Sequence, residues 1–172
     1  MSTTDRAKAG PGLERSLRDL GSSDGNVRHA ARVALVTAGP VAVPGLIEAL
    51  QSPNDDLRWE AAKALTEVRD PSAAPALAGV LADERPGVRW LAAEALSGLG
   101  RSSLDALLHG LVQHSDSVWY REGTHHVLQS LAGGDLREAL APLLKALDSV
   151  EPNIGVLVPA HNLLKQIGSP TA

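Results

Sequence analysis

The sequence has no cysteine and no phenylalanine, and only 2% of its 172 residues are aromatic. Without cysteine the chain can form no disulfide, thiol nucleophile or Cys-ligated metal site. A core without phenylalanine must be built from Leu, Ala and Val, which suit closely packed helices. With 44% apolar and 21% charged residues, the composition is typical of a folded globular domain.

An excess of basic charge is also lacking, and so is any long apolar run. The formal net charge is −4, so we expect no nucleic-acid partner, because such proteins present concentrated basic surfaces. The longest uncharged stretch, residues 33–47, is interrupted by Gly39, Pro40, Pro44 and Gly45. It falls short of the ~20 apolar residues that a membrane-spanning helix needs. We therefore expect no membrane partner and a cytoplasmic location.

Five segments of similar sequence recur along the chain, and their starts are separated by 30, 31, 32 and 36 residues. Each follows a second apolar segment of similar length, so the repeating unit is predicted to be a helix pair. The segments are VRHAARVALVTAG from Val27, LRWEAAKALTEVR from Leu57, VRWLAAEALSGLG from Val88, YREGTHHVLQSLA from Tyr120 and VLVPAHNLLKQIG from Val156.

Glycines and capping residues indicate where the units begin and end. Gly39 and Gly100 lie where helices should stop, and Asp70 before a proline is typical of a helix start. We predict a single domain over residues 12–168, between a disordered polar leader (1–11) and a short tail (169–172). Its units are about 12–39, 40–69, 70–100, 101–132 and 133–168.

In each second helix, apolar or small residues fall at +0, +4, +7, +8 and +11 from the first apolar residue. In the first unit these positions are Val27, Ala31, Ala34, Leu35 and Ala38. At ~100° per residue they occupy one arc about 100° wide, which we predict to be the core seam. A single helix pair cannot bury such a seam, so neighbouring pairs must stack.

The pattern Val-Arg-x-x-Ala-Ala-x-Ala-Leu, in units of about thirty residues, resembles the HEAT-like repeats, in particular the short bacterial kind first noted in phycobilisome lyases. The resemblance covers roughly residues 13–168. It implies an all-α, right-handed α-solenoid of about five antiparallel helix pairs, with second helices lining the concave side. The fourth unit departs from the pattern at Gly123, Thr124 and His125, and the fifth has Leu157 in place of the arginine.

Four units carry an arginine at +1: Arg28, Arg58, Arg89 and Arg121. We interpret these as a structural ladder in which each guanidinium binds an acid or a carbonyl of the preceding turn. Recognition of an anion is the alternative.

Position +2 faces away from the seam and holds Trp59 and Trp90 in adjacent units. Two rigid indoles in register could anchor a partner on the concave wall. The equal alternative is that they lean on the next repeat and cover its backbone.

His126 in the fourth unit is predicted to lie near Glu122, Glu94 and Asn162, an arrangement that could bind a metal or move a proton. A solvated polar wall is the plainer interpretation. No unit has the His-Glu pair at +2 and +3 with which the similar deoxyhypusine hydroxylases hold two irons. The resemblance therefore does not extend to that activity, and no cofactor or metal is expected. His125 and His161 are predicted to be hydrogen-bonded packing residues.

The sequence thus predicts a non-enzymatic scaffold that binds a protein or peptide on its concave face, and a monomer is favoured over an oligomer. A bilin lyase or chromophore chaperone is the main alternative, and a small metal-dependent enzyme centred on His126 is the second. The residues predicted to contact the partner are Trp59, Trp90, Glu60, Lys63, Glu94, Glu122 and His126.

Overall fold

A computed structural model describes residues 10–168, and all regular structure within them is helical. The predicted all-α fold is confirmed. Short 3-10 turns lie at Gly39–Ala42, Pro71–Ala73, Val80–Ala82 and Gly100–Ser103. The α-helices are α1 (Pro11–Asp19), α2 (Gly25–Ala38), α3 (Val43–Ala49), α4 (Asp55–Val68), α5 (Ala74–Gly79), α6 (Pro86–Leu99), α7 (Leu104–Gln113), α8 (Val118–Leu131), α9 (Leu136–Leu147), α10 (Pro152–Gly155) and α11 (Leu157–Gly168).

Of the predicted leader, only residues 10 and 11 are described, and Pro11 already begins α1. The rest of the leader and the predicted tail, residues 169–172, lie outside the described residues.

Polar side chains begin several helices, and glycines end them. Asp24 accepts a hydrogen bond from the Asn26 N–H at 2.8 Å, and Asn54 accepts one from the Asp56 N–H at 2.9 Å. Gly39 and Gly100 end α2 and α6 at φ 65° and 62°, a left-handed region that favours glycine.

Within residues 10–168, one stretch, Gly25–Ala49, is long and apolar enough by composition to cross a membrane. Its backbone leaves helical geometry at Gly39, where φ is 65° and ψ is −137°. The stretch therefore consists of two α-helices joined by a 3-10 turn, and a third of its apolar window is buried inside the protein.

The helices stack in two rows, as the repeat predicts. The second-helix row (α2, α4, α6, α8) is continuous, because each of these helices packs on the next. In the first-helix row, α1 packs on α3 and α5 packs on α7, and each first helix also packs on the second helix of its own unit. Leucines and alanines fill the space between the rows, and Tyr120 is the largest fully buried side chain.

The fifth unit is arranged differently from the prediction. Its second helix, α11, packs mainly on α7, whereas α9 packs mainly on α8. The unit is thus reversed: α9 extends the second-helix row and α11 extends the first-helix row. The spacing to this unit is 36 residues, and the short helix α10 lies between α9 and α11. This additional turn separates α11 from the second-helix row.

The predicted seam is buried only where a helix has neighbours on both sides. In α4, Ala61, Ala64 and Leu65 are buried, whereas in α2 the equivalent Ala34 is exposed, as is Ala38. Helix α2 is the first of its row, so no preceding second helix among the described residues covers this face. The prediction of a full seam in the first unit was wrong for that reason.

Candidate functional site

The four ladder arginines bind the backbone just before their own helices. Each Nη1 donates to the carbonyl oxygen six residues earlier, at 2.5–2.9 Å. The pairs are Arg28 with Ser22, Arg58 with Ser52, Arg89 with Asp83 and Arg121 with Ser115. Because these carbonyls would otherwise lack a partner at the turn, the arginines tie each turn to the helix that follows.

Two of these arginines also hold a carboxylate from the next unit. Arg58 donates from Nε and Nη2 to Asp83 at 2.7 and 3.1 Å, and this hydrogen bonding raises the pKa of the Arg58 guanidinium. Arg28 donates from Nε to Glu60 at 3.3 Å, and Arg32 binds the other Glu60 oxygen. These ion pairs join successive units across the second-helix row.

Glu60 is therefore not part of the exposed polar surround that the sequence predicted. Its side chain is 6% exposed, and both carboxylate oxygens face arginines of α2. The physical reason is its position at +3, which points at the preceding second helix rather than at solvent. The same position holds the buried Leu91 in α6 and Gly123 in α8.

Trp59 leans on the next unit. A Cβ placed on Gly87 would lie 3.1 Å from Trp59 Cδ1 and Nε1, so the indole covers the start of α6. The ring is half-buried and packs against the hydrophobic core. Lys63, one turn further along α4, is also half-buried. Trp59 thus fits the covering role that the sequence left open.

Trp90 is placed differently, with 58% of its surface exposed. Its ring lies against the imidazole of His126 in the next unit, with 5.2 Å between centroids and 48° between planes. His126 Nε2 is in turn 3.1 Å from Glu94 Oε1, the contact that the sequence predicted. Trp90, Glu94 and His126 therefore form one partly exposed cluster that bridges α6 and α8.

Trp119 lies next to this cluster, although the sequence analysis did not predict it as a site residue. It is 45% exposed, and Arg89 Cζ lies 4.3 Å from its ring centroid, which is a cation–π contact. Trp119 stands at −1 in its unit. At ~100° per residue, −1 is only about 60° from +2, so the helix face shared with Trp90's position is the sequence signal that indicates Trp119.

Both indoles line a cleft of about 210 Å³, which we call the Trp90–Trp119 cleft. It lies between α6 and α8, where Gly123 and Ala93 contribute no bulky side chain. A Cβ on Gly123 would also lie 2.9 Å from Leu81 Cδ2, so glycine permits the close approach of α8. The residues that line the cleft are Pro86, Arg89, Trp90, Ala93, Trp119, Glu122, Gly123 and His126.

The other candidate groups do not converge on a reactive centre. Among residues 10–168, no group of three or more His, Cys, Asp or Glu side chains is placed to hold a metal ion. Asn162, expected beside His126, lies on α11, which packs mainly on α7. His125 Nε2 is 3.1 Å from Asp148 Oδ1, and His161 Nδ1 is 2.8 Å from the Leu157 carbonyl oxygen. His125 thus contacts the C-cap residue of α9, and His161 contacts its own helix.

Comparison with known proteins agrees with the stacked helix pairs. Residues 43–124 match a family model described as HEAT repeats. This range runs from the first helix of the second unit into α8, so it includes Trp59, Trp90 and Trp119. No curated protein matches the chain.

Proposed function

Because the chain is a HEAT-like repeat protein, we propose that it is a non-enzymatic scaffold that binds a protein or peptide partner in the Trp90–Trp119 cleft. HEAT repeats generally serve as protein-interaction scaffolds. The observation that carries the proposal is the pair of half-exposed indoles from adjacent units that line one cleft.

Tryptophan is the residue type most typical of binding hot spots, because it buries a large, rigid surface at little cost in side-chain entropy. Trp90 and Trp119 are held in place before any partner arrives, Trp90 by His126 and Trp119 by Arg89. This preorganisation lowers the entropy lost on binding. Glu94, Glu122 and His126 would form the polar rim around the two indoles.

The size of the cleft favours a side chain over a cofactor. Sites for drug-sized ligands have volumes of about 300–1,000 Å³, whereas the cleft holds about 210 Å³. A tetrapyrrole would therefore extend far beyond it, and no feature of the cleft favours the bilin-lyase alternative. The metal-dependent alternative rests on the single pair formed by His126 and Glu94. We keep the monomeric state and cytoplasmic location expected from the sequence as part of the proposal.

The proposal is tested by selecting binders from a library of short random peptides with the wild-type protein. The binders are then titrated against Trp90→Ala/Trp119→Ala. We expect the double variant to weaken binding at least about tenfold, because each truncation removes a hot-spot side chain. Trp59→Ala is the matched control, and it should change the dissociation constant by less than about twofold.

Circular dichroism and thermal melting of all three proteins exclude loss of fold as the cause. If no selected peptide depends on Trp90 or Trp119, or if Trp59→Ala alone abolishes binding, the proposed site is wrong.

A further inference from the structure

Of the two oppositely charged side chains that line the Trp90–Trp119 cleft, Arg89 is engaged by neighbouring groups and Glu122 is not, and from this we propose that the cleft takes a lysine or arginine side chain of the partner. This inference rests on the proposed function and names the chemistry of the residue that the cleft binds. Its carboxylates are Glu122, which lines the cleft, and Glu94, which lies beside His126 at its edge.

Glu122 is the group that points to a cationic ligand. Its side chain is exposed, and it makes no hydrogen bond or ion pair with any other residue in the 10–168 range. Glu60 and Asp83, by contrast, are bound by arginines within the stack. Glu122 is thus a carboxylate beside two indoles whose charge no neighbouring cation neutralises by direct contact.

Arg89 is the one guanidinium that lines the cleft, and it is already engaged. Its Nη1 donates to the carbonyl oxygens of Asp83 and Glu84 at 2.7 and 3.1 Å, and its Cζ lies over the Trp119 ring. These contacts hold Trp119 in position, and Trp90, the more exposed ring, remains available.

Both parts of a basic side chain, its methylene stem and its charged head, fit this arrangement. The methylene stem of lysine or arginine packs well on an indole, and the charged head is attracted to the aromatic face and to a carboxylate. A partner carboxylate would instead meet the unpaired charge of Glu122, whereas Arg89 already binds two backbone carbonyl oxygens. The overall charge of −4 favours approach of a basic segment as well.

The test uses the tightest peptide from the library whose binding depends on Trp90 and Trp119. Each of its basic residues is replaced by glutamine in turn, and binding is measured by titration calorimetry. We expect one replacement to weaken binding at least about fivefold, the size of a cation–π contact combined with an exposed ion pair.

Variants of the protein identify the carboxylate that is responsible. Glu122→Gln should weaken binding of the parent peptide by about two- to fivefold, and Glu122→Lys should weaken it further. Glu122→Lys should also bind the peptide whose critical basic residue is changed to glutamate better than it binds the parent. Glu138→Gln, the same charge change at an exposed acid outside the cleft, is the matched control and should have no effect.

The inference is overturned if the cleft-dependent peptides lack basic residues, tolerate their replacement, or bind equally to Glu122→Gln. In each of these outcomes the proposed function stands, because binding still depends on the two indoles. If no peptide depends on the indoles, the proposed function itself fails.

Discussion

The contact between Gly110 and Tyr120 reverses the usual effect of replacing a helix glycine by alanine. Tyr120 is 1% exposed, its hydroxyl donates to the Leu107 carbonyl oxygen at 3.4 Å, and burial raises the pKa of this phenol. A Cβ on Gly110 would lie 1.8 Å from Tyr120 Oη and 2.6 Å from Cζ. The absence of a side chain at Gly110 is what allows the buried ring to fit against α7.

Glycine to alanine inside a helix ordinarily stabilises a protein by up to about 1 kcal/mol. Inserting a methyl group into a closely packed core costs about 1–3 kcal/mol, and contacts this short against a fully buried ring favour the upper end. We therefore expect Gly110→Ala to lower the free energy of unfolding by about 1–2 kcal/mol. For a domain of this size, that corresponds to a melting temperature lower by about 3–6 °C.

Gly79 provides the control, because it stands 31 residues earlier at the equivalent position of the preceding unit. A Cβ there would meet nothing within 4 Å, so Gly79→Ala should be neutral or stabilising by up to about 1 kcal/mol. Urea unfolding followed by circular dichroism measures both variants. Tyr120→Leu should cost less in the Gly110→Ala background than in the wild type. Equal stability of Gly110→Ala and Gly79→Ala would refute the argument.

Three further changes test other parts of the structure. Glu60→Ala should lower the free energy of unfolding by about 2–3 kcal/mol, because two arginines lose their shared carboxylate, and a urea titration that finds less than about 0.5 kcal/mol would contradict this. Asp70 has a pKa held below its ordinary value by hydrogen bonds from the Ser72 side chain and backbone, so its stabilisation is present above pH ~4 and lost as the pH falls further. Asp70→Ala should therefore lower the free energy of unfolding by about 1 kcal/mol at pH 7. Below pH 4 the difference in this free energy between the variant and the wild type should become smaller. Leu96→Asp places a charge at a fully buried position and should lower the free energy of unfolding by at least about 4 kcal/mol. Thermal melting measures this loss, and a melting temperature near that of the wild type would place Leu96 outside the core.

The repeated part of the fold could be predicted because equivalent positions have equivalent surroundings. Ala61 and Leu65 in α4 have the same burial as Ala92 and Leu96 in α6, and one sequence pattern encodes both. The ends could not be predicted in the same way, because burial there depends on whether a neighbouring helix exists. Ala34 matches the pattern but is exposed for this reason.

The candidate site was predictable only in part. The contact between His126 and Glu94 followed from helical spacing, since both residues stand at +6 in adjacent units. Glu60 resembles a surface acid in the sequence, and what decides its burial is a pair of arginines contributed by a different unit. Trp119 was not predicted because it stands at −1, whereas Trp59 and Trp90 share the repeat position +2.

The central claim is that Trp90 and Trp119, but not Trp59, contact the partner. The chain has three tryptophans, so a proton–nitrogen correlation spectrum should contain three indole N–H peaks, which single Trp→Phe variants assign. Titration with a selected peptide should move the Trp90 and Trp119 peaks and leave the Trp59 peak in place. A bound peptide that moves only the Trp59 peak, or none of the three, would contradict the account.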